Sequence, residues 1–317
     1  MLPLNLNARA AKIVETMRAG ADERRIAAHE IDGGGLFIDC GIKSQGGLQA
    51  GLDLARVCLG GLADVSIVMG EAAGRATPVV QIWTDHPVHA CLASQYAGWA
   101  LSEGKFFAMG SGPMRAVRAG EPIFETIGCR ELSDTIVGVL ETRKAPPPEI
   151  VAKIAKECGV EPYNVTLLAA PTASLAGGLQ IVARSIETAL HKLAELRFDL
   201  SRVVSAQGSA PMPPVARDDL AAIGRTNDAI LYGARVILHV TGDDESLQSV
   251  GPGVPSSASR DFGEPFAAIF ARYNNDFYAV DPHLFSPAEV VFQNIQTGRT
   301  QVFGAPKPEI VAQSFWG

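Results

Sequence analysis

Residues 144–170 read KAPPPEIVAKIAKECGVEPYNVTLLAA. The three prolines forbid regular structure, and the last of them, with Glu149 behind it, opens a helix to about Cys158, because proline's fixed φ suits the first helical position. Gly159 ends that helix, and NVTLLAA at 164–170 is a short apolar run that reads as a buried strand. The same alternation extends in both directions. Towards the N-terminus the spacing predicts a helix over 8–18, a strand over 35–40, a helix over 47–58 ended by Gly60-Gly61, and strands over 64–69 and 78–83. A helix over 88–102 follows Pro87, then a glycine-rich loop at 110–113 and a strand at 135–141. Towards the C-terminus come a helix over 177–196 and a long surface loop at 242–261, rich in Gly, Ser, Pro and Asp. This order indicates α/β or α+β architecture. KAPPPE is the clearest break, and it divides the chain into regions 1–144 and 145–317.

Of the 317 residues, 47% are hydrophobic and 19% charged, which suits a globular protein with a sizeable core. At this length a single core stops growing, so two domains with a cleft are expected. The net charge of -7 and the absence of any Lys/Arg concentration argue against nucleic acid and against a membrane surface as partners. The five cysteines are odd in number and widely spaced, with no Cys-x-x-Cys, and read as reduced thiols. MLPLNLNARAAKIVETMRAG carries charges where a signal peptide needs an apolar core, so a cytoplasmic location is expected. Asn164-Val165-Thr166 matches a glycosylation sequon and reads as a strand entrance.

Helix 177–196, GGLQIVARSIETALHKLAEL, places Leu179, Val182, Ile186, Leu190 and Leu193 on one face. Gln180, Arg184, Glu187 and His191, three or four residues apart, form a polar stripe. A solvated Arg–Glu pair worth about 0.3–0.5 kcal/mol is the ordinary reading. Its position after a strand and the small-residue loop PTASLAGG favours a functional one, because small residues let a ligand approach. In FAMGSGPMRA at 107–116, Ser111, Gly112 and Arg115 could form an anion nest or an ordinary tight turn. WTDHPVHAC at 83–91 offers Asp85, His86 and His89. His-x-x-His can hold zinc, but Pro87 disturbs the geometry and no third ligand stands near. GRTNDAILYGARV at 224–236 gathers Arg225, Thr226, Asn227 and Asp228 just before a strand, as heterocycle contacts or as capping residues.

Taken together these segments resemble the methenyltetrahydromethanopterin cyclohydrolase family over nearly the whole chain. The resemblance is carried by IDCG at 38–41, AGLDLARVCLGGLADV at 50–65, TDHP at 84–87 and KFFAMGSGPMRA at 105–116, together with APTASLAGGLQIVARSIETALHKL at 170–193, GRTNDAILYGARV at 224–236 and DPHLFSPAEVVFQN at 281–294. It implies two α+β domains enclosing a deep inter-domain pocket, with domains that can be discontinuous in sequence. It also implies a pterin substrate, no metal, no separate cofactor, and a homo-oligomer, often a trimer. In this family the motif with Arg and Glu three apart carries catalysis, which corresponds here to Arg184 and Glu187. Substrate binding is expected of Ser111, Gly112, Arg115, Asp85, His86, Arg225 and Asn227. Two other classes stand beside this one: a zinc-dependent amidohydrolase using His86 and His89, and a non-catalytic pterin-binding protein.

Overall fold

The computed structural model describes residues 4–317. By internal contacts the chain divides into two compact units, one of residues 1–64 and 89–180, the other of residues 65–88 and 181–317. The proline-rich stretch at 144–149 lies inside the first unit, because its prolines end a secondary-structure element rather than a domain.

Among the described residues the strands are, in chain order, β1 Ala27–Glu30, β2 Leu36–Asp39, β3 Asp64–Ala72, β4 Arg75–Thr84, β5 Trp99–Glu103 and β6 Phe106–Ser111. They continue with β7 Ile136–Glu141, β8 Val165–Ala170, β9 Val203–Pro211, β10 Arg235–Val240, β11 Glu289–Asn294 and β12 Thr300–Gly304. Each unit holds one six-stranded mixed sheet together with helices, which makes both units α+β.

The first sheet runs β1-β2-β8-β7-β6-β5, with β2, β8 and β7 parallel and the outer pairs antiparallel. Helices cover both its faces. Val137, Val139 and Leu168 pack with helices Leu6–Ala19 and Leu48–Cys58, while Ile136, Leu140 and Leu167 pack with helix Pro148–Cys158. A strand buried on both faces needs apolar side chains at every position, which is why VTLLAA is a continuous run. Gly159, at φ 72°, supplies the left-handed residue that ends the preceding helix.

The second sheet runs β12-β11-β10-β9-β4-β3, with only β10 and β11 parallel among the register-defined pairs. Burial alternates along β10 and β11. Helices Ser185–Glu195 and Asp219–Leu231 pack on one face. The other face bears an open groove of about 760 Å³ lined by Gln81, Trp83, Gln207, Ile237, His239 and Val291, among others.

Four stretches differ from the sequence expectation. Residues 88–102 are not one helix: a π-helical segment Val88–Gln95 gives way to β5, which pairs antiparallel with β6 across a turn at Gly104, φ 55°. Correspondingly, Gly110 and Ser111 lie in β6 rather than in a loop. Residues 242–261 contain helix Asp244–Val250, capped by the Asp243 carboxylate accepting from Ser246 N, and two 3-10 turns with Leu247, Val254 and Ser256 buried. The fourth is the helix expected over 177–196, which breaks into Leu175–Val182 and Ser185–Glu195.

Candidate active site

The break at Ala183–Arg184 builds the site. Arg184, at φ -97° and ψ 8°, leaves helical geometry and becomes the residue before the first turn of helix Ser185–Glu195. Glu187 then falls at the third position of that helix, where the positive end of the helix dipole favours an acid by about 0.3–1 kcal/mol. The Arg184 guanidinium stands 3.9 Å from the Glu187 carboxylate. Both residues are buried, at 6% and 5% exposure, so the reading as a solvated surface pair is corrected. The break also removes Gln180 from the expected stripe: it lies on the preceding helix, and its side-chain amide donates to Glu141, 3.4 Å away.

Two small residues place these helices. Ser174 caps the first of them, its hydroxyl accepting from Gly177 N and donating to Pro171 O. Gly208 in β9 seats the second: a Cβ there would crowd the side chains of Ser185 and Ile186, so glycine lets the first turn of that helix come down closely onto the sheet.

The remaining candidates do not share one environment. Asp85 follows β4 and lines the open groove, its carboxylate accepting from the Ser205 hydroxyl at 2.7 Å. Helix Ser185–Glu195 lies on the opposite face of that sheet, since Ser185 meets the inward-facing Gly208. His86 is exposed, with its backbone N–H donating to Thr84 Oγ1. Ser111 is fully buried, its hydroxyl 3.2 Å from Cys58 Sγ and 3.3 Å from Val139 O, and Gly112 turns the chain at φ 90°.

Arg115 is fully buried. Its Nε donates to Glu121 at 2.6 Å and its Nη1 to the carbonyls of Leu92 and Ser94, and the guanidinium stacks near the rings of Tyr96 and Phe124. Those donors hold the chain itself together, and the expected anion nest has no exposed cation at Arg115. Arg225 and Asn227 correct the reading of 224–228 as a segment before a strand. They lie within helix Asp219–Leu231, with Arg225 donating to the carbonyls of Pro214, Val215 and Ser314, and Asn227 to Ile223 O.

Among the described residues no three His, Cys, Asp or Glu side chains converge as a metal-ligand group, and no helix is long and apolar enough to cross a membrane.

Some anchoring residues escaped the sequence reading. Asp39, in IDCG, accepts from the four backbone amides of Gly41, Ile42, Lys43 and Ser44. Burial alone would raise its pKa, but those amides outweigh it and hold the carboxyl below the ordinary aspartate value. Lys192 is buried, at 1% exposure, and donates to His283 O. It shares a helical face with Ser185 and Ala189, so a lysine at an otherwise small, buried position was the available signal.

A family model described as Cyclohydrolase (MCH) matches residues 5–315. The chain is 45% identical over 315 residues to "Methenyltetrahydromethanopterin cyclohydrolase" of Methylobacterium sp. (strain 4-46), covering 98% of this chain and 97% of that protein. It is 48% identical over 287 residues to the protein of that name from Rhodopirellula baltica, covering 89% and 86%. It is 39% identical over 314 residues to that from Methanococcoides burtonii, covering 98% of each. A family match over nearly the whole length, with the buried Arg184–Glu187 pair inside it, makes the chain a member of the methenyltetrahydromethanopterin cyclohydrolase family.

Proposed function

We propose that the protein catalyses the reversible hydrolysis of 5,10-methenyl-tetrahydromethanopterin to its 5-formyl derivative, with Glu187 as the proton-transferring group and Arg184 as its partner. The observation that carries this reading is a buried carboxylate in the first turn of a helix with a guanidinium beside it.

The methenyl carbon lies between two nitrogens in a delocalised cation, so it is electrophilic before the enzyme acts. Water is the weak partner. Glu187 orients a water molecule and takes its proton as the oxygen–carbon bond forms, leaving a neutral hydroxyl adduct. The carboxylate's negative charge also attracts the cationic carbon. The proton then passes to the nitrogen at position 10 as the carbon–nitrogen bond breaks and its electron pair returns to nitrogen. The adduct's hydroxyl proton leaves as the formyl carbonyl forms, so the net reaction consumes one water and releases one proton. Arg184 holds the carboxylate in place and favours its charged form through proximity.

No metal or separate cofactor enters these steps, and the tetrahydromethanopterin derivative is the substrate. Ser111 at the end of β6, with Gly112 and Arg115 just after it, is bonded to the chain itself, as Arg225 and Asn227 are on their helix, while Asp85 and His86 are kept as substrate-contact candidates. A cytoplasmic, homo-oligomeric protein, a trimer in particular, completes the reading.

The test is spectrophotometric. Purified protein is mixed with the methenyl substrate and the loss of its absorption followed, with methenyl-tetrahydrofolate as control. Glu187→Gln should lower kcat by roughly 10²- to 10⁴-fold while leaving substrate binding measurable. Near-normal turnover in a folded Gln variant refutes the assignment.

A further inference from the structure

We propose that Lys192 is a positioning residue, tying helix Ser185–Glu195 to the turn Pro282–Leu284 so that Glu187 is held in place; this rests on the assignment of Glu187 above. Lys192 follows Glu187 by five residues on the same helix, about 7.5 Å along its axis. Its Nζ donates to His283 O at 2.6 Å.

The receiving turn is itself fixed. Asp281 accepts from His283 N at 3.1 Å with one carboxylate oxygen, and from the Ser259 hydroxyl at 2.7 Å and Arg260 N at 3.2 Å with the other. Asp261 accepts from Asp281 N at 3.0 Å and from the Tyr273 hydroxyl at 3.0 Å. The ammonium therefore bonds to a braced point rather than to a loose loop.

Lysine is a costly choice for this position if packing were its only task. Burial lowers the Lys192 pKa to about 8 against the opposing pull of Asp281 and Glu195. An apolar side chain of similar length would fill the same space without desolvating a charge. What methionine cannot supply is a directional bond that fixes the helix against sliding and rotation. Displacement of a catalytic group by about 1 Å can reduce turnover by about 10²-fold.

Full-length Lys192→Met and Lys192→Arg variants are compared with wild type in kcat, KM, thermal midpoint and amide hydrogen exchange over residues 185–190. The expected Met result is a kcat loss of about 10- to 100-fold with KM changed less than about threefold, faster exchange in that segment and a nearly unchanged midpoint. The Arg variant should recover much of kcat, because it restores a cationic donor. Lys192→Gln, which keeps a donor without the charge, carries the same test at an intermediate loss should the Met variant not fold. A Met variant with kcat within about twofold of wild type overturns the proposal, and so does a loss of turnover that matches its loss of folded protein while exchange is unchanged. If wild type itself does not turn over the methenyl substrate, the hydrolase reading fails, and the exchange data still report on the Lys192 tie.

Discussion

In the first unit β7 and β8 send side chains into apolar clusters on both faces of their sheet, whereas in the second unit β10 and β11 bury every other residue and leave a groove on the far side. Both sheets have six strands and mix parallel with antiparallel pairs. What separates them is the number of helical layers each must support. Two covered faces demand uninterrupted apolar runs, and one covered face permits glutamine, histidine and arginine at alternate positions. The Arg184–Glu187 helix packs on the covered side of the second sheet, while Asp85 lines the groove on its open side.

The contrast can be broken most directly by paired truncations. Leu168→Ala in β8 should cost about 2–5 kcal/mol, because the site is closed on all sides and collapses poorly. Val291→Ala on the open face of β11 should cost well under half as much. Equal losses in denaturant unfolding would show that the open face is as closely packed as the covered one.

A second measurement asks whether the covered side of the second sheet is as dry as the first unit's core. Asp228, on helix Asp219–Leu231, is fully buried and accepts from Phe266 N at 2.8 Å. Burial raises its pKa to about 7, against the pull of hydrogen bonds from Ser314 and from Phe266 N. The folded state therefore holds the proton more tightly than the unfolded chain, whose aspartate titrates near 4. The contribution of this group to stability is therefore greatest below about pH 4, falls as pH rises to about 7, and is level above that, with a steepest slope of about 1.4 kcal/mol per pH unit. Asp228→Asn should remove that fall. Wild-type and Asp228→Asn stability curves that run parallel between pH 4 and 7 would show that water reaches the carboxyl.

Much of the fold was readable before the structure, and what was readable follows the same contrast. Helix Pro148–Cys158 and strand β8 announced themselves because a proline, a glycine and an unbroken apolar run each have one physical interpretation there. The hairpin β5–β6 did not, since WALSE and FFAMGS fit a helix or a strand equally and only Gly104 marked the turn. Arg184 and Glu187 were identifiable from their spacing together with the resemblance to the family. The helix break that sets them at a helix start was not, because VARS contains neither proline nor glycine. Arg115, Arg225 and Asn227 show another side of the same limit: polar residues in a dense motif suggested ligand contacts, and spacing gave no sign that they also donate to the chain's own carbonyls and, for Arg115, to Glu121.

Gly208 leaves the site with a built-in spacer of zero thickness. Because the strand backbone and Ser185 are separated there by less than a methyl group, side chains of graded bulk at position 208 would act as shims under the start of the helix. They would lift Glu187 by fractions of an ångström without altering its charge or its neighbours in sequence. The dependence of turnover on that height becomes a quantity that can be measured by steps, separately from the chemistry of the acid itself.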